Sequence, residues 1–109
     1  MDLARRRSEL IAAIAVQKLV LAAAIKDEAY LQPTKKGERA VRAWFVASDG
    51  GYFVQCRYGA RALLLDGTSD AVFVAKLADV AGVLAAFEAA AAAGDLDAAL
   101  ASVAERRRR

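Results

Sequence analysis

Histidine and asparagine are absent from this sequence, and there is a single cysteine, Cys56. Without histidine the chain lacks the most frequent general base and the most frequent zinc ligand. One cysteine cannot form a disulfide within the chain, and Cys56 stands in an apolar stretch that is typical of a small buried side chain. We therefore expect a cytoplasmic protein that needs no metal ion and no cofactor.

A recognisable set of catalytic residues is also lacking. The serines of the predicted turns have no histidine to activate them, and aspartate is favoured in turns because it bonds nearby backbone amides. The glycines are not followed by the lysine and helix that a phosphate-binding loop requires. These residues are Ser48, Ser69, Asp49, Asp66, Asp70, Gly50, Gly51 and Gly67. We expect the protein not to be an enzyme.

Proline is equally scarce, and its one occurrence, Pro33, ends a long stretch without proline or glycine. This stretch consists mostly of good helix formers, so we predict one long helix over residues 1–31. From Leu3 to Leu31 it would run about 43 Å at roughly 1.5 Å per residue. A compact domain of this size has a diameter of only about 34 Å. The helix is therefore predicted to extend beyond its own domain.

Large apolar residues fall on nearly every face of the predicted helix, which is more than packing against one sheet requires. We therefore expect a homodimer that forms through this helix. The residues expected at the interface are Ile11, Ile14, Leu19, Val20, Leu21 and Ile25.

The start of the helix resembles a secretory signal, because arginines at positions 5–7 precede the apolar run 11–25. Gln17 and Lys18 interrupt this run, and it is too short to span a bilayer. The sequence therefore favours a buried helix and no contact with a membrane.

The whole chain, residues 1–109, is predicted to form one α+β domain. Residues 32–39 form a polar linker with no fold of its own. A four-stranded antiparallel meander follows over residues 40–75, and Asp49-Gly50 is a strong signal for its first hairpin. Two C-terminal helices occupy residues 77–107, and the first is predicted to end at Gly94. Its apolar stripe consists of Leu77, Val80, Leu84, Phe87 and Ala91. The core must therefore be shared between the first helix, the sheet and the last two helices.

Turns of even length decide which residues of the meander share a face, since a shift by one residue turns every side chain over. One face is predicted to join the core: Ala43, Phe45, Tyr52, Val54, Cys56, Leu63 and Leu65. The opposite face combines aromatic residues with arginines: Arg42, Trp44, Val46, Phe53, Gln55, Arg57, Ala62 and Leu64. If it is open, bases can stack on its rings. Alternatively, the first helix covers it, and Trp44, Phe53 and Leu64 are core residues.

The net charge is +3, and eleven arginines stand against five lysines. Arginine is preferred where phosphates or base edges are bound, although basic runs are also common at solvated helix ends. Together with the mixed face, the charge indicates single-stranded nucleic acid as a partner. The residues expected to bind it are Arg42, Trp44, Phe53, Gln55, Arg57, Lys35, Lys36 and Arg39.

Several segments carry a family resemblance: Trp44-Phe45, the run 52–59, Leu63-Leu64-Leu65 and the run 94–97. In these the chain resembles a family of small uncharacterised proteobacterial proteins of phages and integrated elements. That family implies no established activity. The order of four strands followed by a helix is also similar to small single-strand-binding folds of the Whirly and PUR type, which is an analogy of fold alone.

Three functions remain open from the sequence. The first is a non-enzymatic, nucleic-acid-binding accessory protein of a bacterial phage or mobile element. The second is an adaptor or inhibitor that binds a host protein through the long apolar helix. The third is a purely structural dimer. The sequence leaves the identity of the partner open.

Overall fold

The structure is a computed structural model that describes residues 3–59, 61–65 and 69–108, with side chains up to Val103. It confirms the predicted class, an α+β fold with an N-terminal helix, antiparallel strands and C-terminal helices. The helices are α1 (Leu3–Ile25), α2 (Val80–Ala93) and α3 (Asp97–Arg108). The strands are β1 (Leu31–Thr34), β2 (Gly37–Ala40), β3 (Phe45–Ser48), β4 (Gly51–Val54), β5 (Arg57–Tyr58), β6 (Arg61–Ala62) and β7 (Val72–Val74).

Helix α1 ends at Ile25, so the prediction of a helix over residues 1–31 is wrong at its C-terminal end. Asp27 adopts a left-handed conformation, with φ of 59°. The amides of Asp27 and Glu28 then donate to the carbonyls of Ala24 and Ala23 at 2.9 and 2.8 Å, which closes the helix as a Schellman motif. Its 23 residues span about 35 Å, shorter than the roughly 43 Å expected from the sequence and close to the diameter of about 34 Å expected for the domain. An overhang beyond the domain remains a prediction.

The length and composition of α1 are sufficient for a membrane-spanning helix. It is the whole helix, Leu3–Ile25, that has this length, whereas the apolar run 11–25 within it is shorter than the roughly 20 residues that a bilayer requires. The buried core helix of a globular protein can have the same length and composition, and α1 contributes Leu10, Ile14, Val20 and Leu21 to the core. The absence of membrane contact therefore remains a prediction.

Residues 32–39 are not a linker, because strands β1 and β2 pair here as an antiparallel hairpin. The ladder runs from Leu31 opposite Ala40 to Thr34 opposite Gly37, and Lys35 and Lys36 form the turn. The Thr34 hydroxyl supports this turn, since it accepts from the Lys36 amide at 3.2 Å and donates to the Gly37 carbonyl at 2.5 Å. Nearly every residue of this hairpin is exposed, so it projects from the domain.

The first hairpin of the predicted meander is confirmed. β3 and β4 pair antiparallel, from Phe45 opposite Val54 to Ser48 opposite Gly51, around the two-residue turn Asp49-Gly50. Gly50 has a φ of 78°, a conformation that glycine adopts without steric cost. This register places Phe45 and Val54 on the core face, as the sequence predicts.

The later strands divide differently from a continuous meander. β5 and β6 form a short hairpin of their own, and β7 returns to pair with β4, so that the main sheet has the order β3-β4-β7. Val72 and Val74 point the same way as Tyr52 and Val54 in this sheet, and all of them are buried or half-buried. We attribute the return to this alternation, which gives β7 an apolar face that packs on the helices.

The core lies between α1, α2, α3 and the inner face of the main sheet. The predicted stripe is confirmed for Val80, Leu84, Phe87 and Ala91 of α2, which are buried, whereas Leu77 precedes α2 and is half-buried. α2 ends at Gly94, which has a φ of 87°, and the chain bends by about 90° into α3. The remaining buried apolar residues are Leu10, Ile14, Val20, Leu21, Trp44, Phe45, Val54, Cys56, Leu63, Leu96, Leu100 and Val103.

An ion pair joins the start of α1 to the start of α3. Arg7 donates from Nε to Asp97 Oδ1 at 2.9 Å and from Nη2 to Asp97 Oδ2 at 2.5 Å, a paired geometry that is stronger than a single contact. A Cβ at Gly94 would stand 2.7 Å from Arg7 Nη2, so the glycine also leaves room for the guanidinium. The Arg7 hydrogen bonds lower the pKa of the Asp97 carboxyl.

This ion pair predicts an acid-sensitive contribution to stability. Asp97 binds its proton less tightly in the folded chain than in the unfolded one, where its pKa is about 3.9. The contribution is therefore present above that value and is lost as the pH falls through the lowered pKa. We expect Asp97→Asn to melt at a lower temperature than the parent chain near pH 7, and the difference to disappear in strong acid. Asp95→Asn, at an exposed neighbour, is the control, and a difference independent of pH would contradict the prediction.

Candidate nucleic-acid interface

The segment between β2 and β3 is attached to the centre of α1 by one side chain, Gln17. Its Nε2 donates to the Arg42 carbonyl at 2.9 Å, and its Oε1 accepts from the Trp44 amide at 2.9 Å. Gln17 is only 3% exposed. The amide thus binds one donor and one acceptor of the backbone, as a neighbouring strand would. It positions both Arg42 and Trp44.

Trp44 is 8% exposed, so the prediction that it lies on an open face is wrong. The backbone amide of Gln55 donates to the Trp44 carbonyl at 2.9 Å. The backbone amide of Trp44 donates to the side chain of Gln17 in α1 and not to a strand. Trp44 therefore lines a cavity together with Ala13 and Val16 of that helix. The alternation of side chains along the strand predicts that Trp44 is exposed, but α1 covers this end of the sheet and buries it. Trp44 cannot act as an open platform for a base.

The rest of the predicted outer face is open. Phe53 is 45% exposed, Val46 64% and Leu64 44%. Helix α1 therefore covers Trp44 but not Phe53 or Leu64, so each of the two alternative predictions for this face is correct for part of it. On the inner face, Phe45, Val54, Cys56 and Leu63 are buried as predicted, and Ala43, Tyr52 and Leu65 are half-buried.

A groove lies between the β1–β2 hairpin, α1 and the turn after β5. It consists of two adjoining cavities of about 290 and 310 Å³, which share Gln32, Val41 and Arg42. Thr34, Arg39 and Ala40 complete the cavity at the hairpin. Ala13, Val16, Gln17, Trp44, Arg57 and Gly59 complete the other. We call these two cavities together the arginine groove.

The arginine groove contains three guanidinium groups, those of Arg39, Arg42 and Arg57, and none of the described residues that line it is acidic. Within the described residues, no hydrogen bond or ion pair involves the side chain of Arg39 or Arg42. Lys35 and Lys36 follow directly after Thr34 at the hairpin turn and are exposed. Positive groups concentrated along a concave surface attract anions. The structure therefore places three of the eight predicted binding residues in this groove, and two more, both lysines, at the turn of the hairpin that borders it.

A row of apolar side chains crosses the outer face of the main sheet. It contains one residue from each strand, because Val46 lies opposite Phe53 and Phe53 lies opposite Phe73. The two phenylalanine rings meet edge to face, with centroids 5.2 Å apart and planes at 64°. Phe73 is 49% exposed. We call Val46, Phe53 and Phe73 the aromatic row.

Phe73 is the residue of this surface that the sequence analysis missed. It stands between Val72 and Val74 in a short strand, and this alternation was a signal that it lies on the face opposite the core. Its ring needs Gly51, because a Cβ on that glycine would come within 2.7 Å of Phe73 Cζ. The tip of the ring therefore lies directly over the backbone of β4.

Gln55 and Arg57 connect the arginine groove to the aromatic row. Gln55 follows Phe53 by two residues along the chain, which places it on the same face. Its Oε1 accepts from Arg57 Nη1 at 2.6 Å, and its Nε2 donates to Asp70 Oδ2 at 3.5 Å. Because Arg57 also lines the groove, this hydrogen bond links the groove to Gln55, two residues beyond Phe53. Asp70 is an acidic residue beside Gln55.

The six residues predicted as a dimer interface do not share one surface. Ile14, Val20 and Leu21 belong to the core, and Ile11 is half-buried. Leu19 and Ile25 remain exposed, at 50% and 55%. The prediction that these six form an interface is therefore wrong, because the helix uses half of them to bury its own domain.

Cys56 and the turn aspartates complete the set of predicted sites. Cys56 is fully buried, and burial raises the pKa of its thiol to about 12, so it stays protonated at neutral pH. Asp49 and Asp70 are exposed, and Asp66 lies outside the described residues.

Comparison of the chain with known protein families, with curated proteins and with solved structures finds no match.

Proposed function

We propose that the protein is a non-enzymatic nucleic-acid-binding protein that binds the phosphate backbone along the arginine groove. The observation that carries this proposal is the presence of three arginines in one groove, with no carboxylate among the lining residues that the structure describes. A planar guanidinium forms paired hydrogen bonds with phosphate oxygens, and its charge displaces the counterions of the nucleic acid.

Two further features support it. Gln17 fixes the backbone of Arg42 from inside the domain, so less conformational freedom is lost when this residue binds. The projecting β1–β2 hairpin carries Lys35 and Lys36 at its turn, where they extend the positive surface beyond the groove. The family resemblance of the sequence suggests an accessory protein of a phage or mobile element.

The proposal is tested by fluorescence anisotropy with labelled oligonucleotides over a series of salt concentrations. Each phosphate contact contributes about 0.7 to 0.9 to the slope of log affinity against log salt. We expect Arg42→Gln and Arg39→Gln each to reduce this slope by about one and to weaken binding several-fold at low salt.

Lys76→Gln is the matched control, because it removes the same charge. Lys76 is exposed and lies beyond the end of β4 that is opposite to Arg57. It should leave both the slope and the affinity close to those of the parent chain. Equal losses in all three variants would indicate attraction by net charge alone, and absence of binding at low salt would refute the proposal.

A second function, binding to another protein, is favoured by a different observation. Leu19 and Ile25 are large apolar residues on the outside of α1, where they remain half-exposed. A protein partner or a second copy of the chain would bury them. Capture of a partner from nuclease-treated lysate that is lost in Leu19→Gln plus Ile25→Gln, but kept in Arg42→Gln, would favour this function over the first.

A further inference from the structure

We infer that the ligand of the arginine groove is a single strand of nucleic acid, and that its unpaired bases stack on Phe53 and Phe73. This inference rests on the proposed function and specifies its substrate class. It starts from two rings at the centre of a sheet face, where a soluble domain ordinarily exposes polar residues. Phe53 is 45% exposed and Phe73 49%, although the inner face of the same strands is buried in the core.

The arrangement of the rings suits stacking. The tip of Phe73 lies over Gly51, so this ring is held close to the sheet surface. Phe53 meets it edge to face at 5.2 Å, an arrangement that occupies one face of one ring and leaves the others available. A phenylalanine side chain has only two rotatable bonds, so these rings lose little freedom when a base is added. Any base can stack in this way, because every base has a flat π face.

The charges next to the rings fit the same ligand. Four residue positions separate Phe53 from Arg57, a distance of at most roughly 13 Å along the chain. A strand whose phosphates follow Arg39, Arg42 and Arg57 therefore reaches the rings within a short distance. Gln55 stands between them, with an amide that is able to bond to the edge of a base. Asp70 contributes a carboxylate at this point, and its hydrogen bond with Gln55 orients that amide.

Two other ligands fit the aromatic row less well. In a duplex the bases are already stacked and paired, so they reach the rings only at the cost of unstacking, a few kcal/mol per step. A protein partner needs about 800 Å² on each side. The aromatic row offers roughly 300 Å², since each of its three exposed side chains contributes on the order of 100 Å². The small apolar area beside a positive groove favours a single strand.

The experiment compares three labelled probes of equal length: a single-stranded oligothymidine, the same strand with abasic sites at its centre, and a duplex. The variants are Phe53→Leu and Phe73→Leu, which stay apolar, and Val46→Ala is the control in the same row. We expect the parent chain to bind oligothymidine most tightly. Each phenylalanine variant should bind it about tenfold more weakly, with little change for the abasic strand and an unchanged salt slope.

The outcomes separate this inference from the proposed function. If the parent chain binds the abasic strand as tightly as oligothymidine, or if both phenylalanine variants bind as the parent does, stacking is refuted while the effect of Arg42→Gln stands. Equal weakening on all three probes refutes it as well, because the rings would then act only through the fold. A change in oligomeric mass without loss of oligothymidine binding would assign the row to a protein contact. No binding to any probe at low salt overturns both proposals.

Discussion

Gln17→Met is expected to lower the free energy of unfolding by about 3 kcal/mol. Methionine has the same length and fills the space, but it cannot bind the Arg42 carbonyl or the Trp44 amide. Each buried backbone group without a partner costs about 1 to 3 kcal/mol, and part of this is recovered through the added apolar surface. Urea denaturation measures the loss. Gln32→Met is the control, because the Gln32 side chain has no hydrogen bond in the described part of the chain.

The same substitution should also be visible at the groove. The chain has a single tryptophan, so its fluorescence reports on Trp44 alone. If Gln17 holds this segment against α1, its loss gives water access to the ring and shifts the emission to longer wavelength in the folded state. A variant as stable as the parent, with unchanged emission, would show that packing of Trp44 positions the segment without Gln17.

Gly51→Ala is expected to cost about 2 kcal/mol, through crowding rather than through lost contacts. The added Cβ would overlap the Val74 carbonyl oxygen of the neighbouring strand and would stand 3.1 Å from Ala75 Cα. The Phe73 ring is able to move away, but the backbone of β7 has to shift, and this strand pairs with β4 over only three residues. Thermal or urea denaturation measures the effect.

Gly82→Ala is the matched control for this prediction, because it makes the same change with the opposite expected sign. Gly82 lies in α2, and a Cβ there would meet no atom within 4 Å. Alanine should stabilise this helix by about 0.5 to 1 kcal/mol. A loss of stability at Gly82, or none at Gly51, would contradict the stated reason for the two effects.

The parts of the fold that the sequence predicted are those determined by local chemistry. The Asp49-Gly50 turn sets the register of β3 and β4, and with it the burial of Phe45 and Val54. The left-handed Gly94 and the apolar stripe before it define the end of α2 and its buried face. Such features depend on a few adjacent residues, so a pattern in the sequence suffices to find them.

The errors concern contacts between distant segments. Gln17 bonds to residues 25 and 27 positions away along the chain, and no local pattern indicates that a glutamine in an apolar helix takes the place of a strand. For the same reason the strand pattern predicts an exposed Trp44, although contact with α1 buries it. β7 pairs with β4 across the intervening β5–β6 hairpin, which sequence order alone does not reveal.

Two misplaced boundaries have a more local cause. An aspartate instead of a glycine stands at the left-handed position that closes α1, so the helix seemed to continue to Leu31. The β1–β2 hairpin turns through two lysines, which are not among the residues that signal a turn, and its strands carry few apolar side chains. The polar composition of residues 32–39 therefore predicts a linker where the structure has a hairpin.

The shielding of Cys56 has a practical consequence. Its thiol is fully buried and stays protonated at neutral pH, so maleimides and methanethiosulfonates cannot reach it in the folded protein. A second cysteine at the exposed turn residue Lys36 would then be the one thiol that accepts a dye or a spin label, with no need to remove the native one. The label would report on the position of the β1–β2 hairpin turn relative to the rest of the domain, in a chain whose core is unaltered.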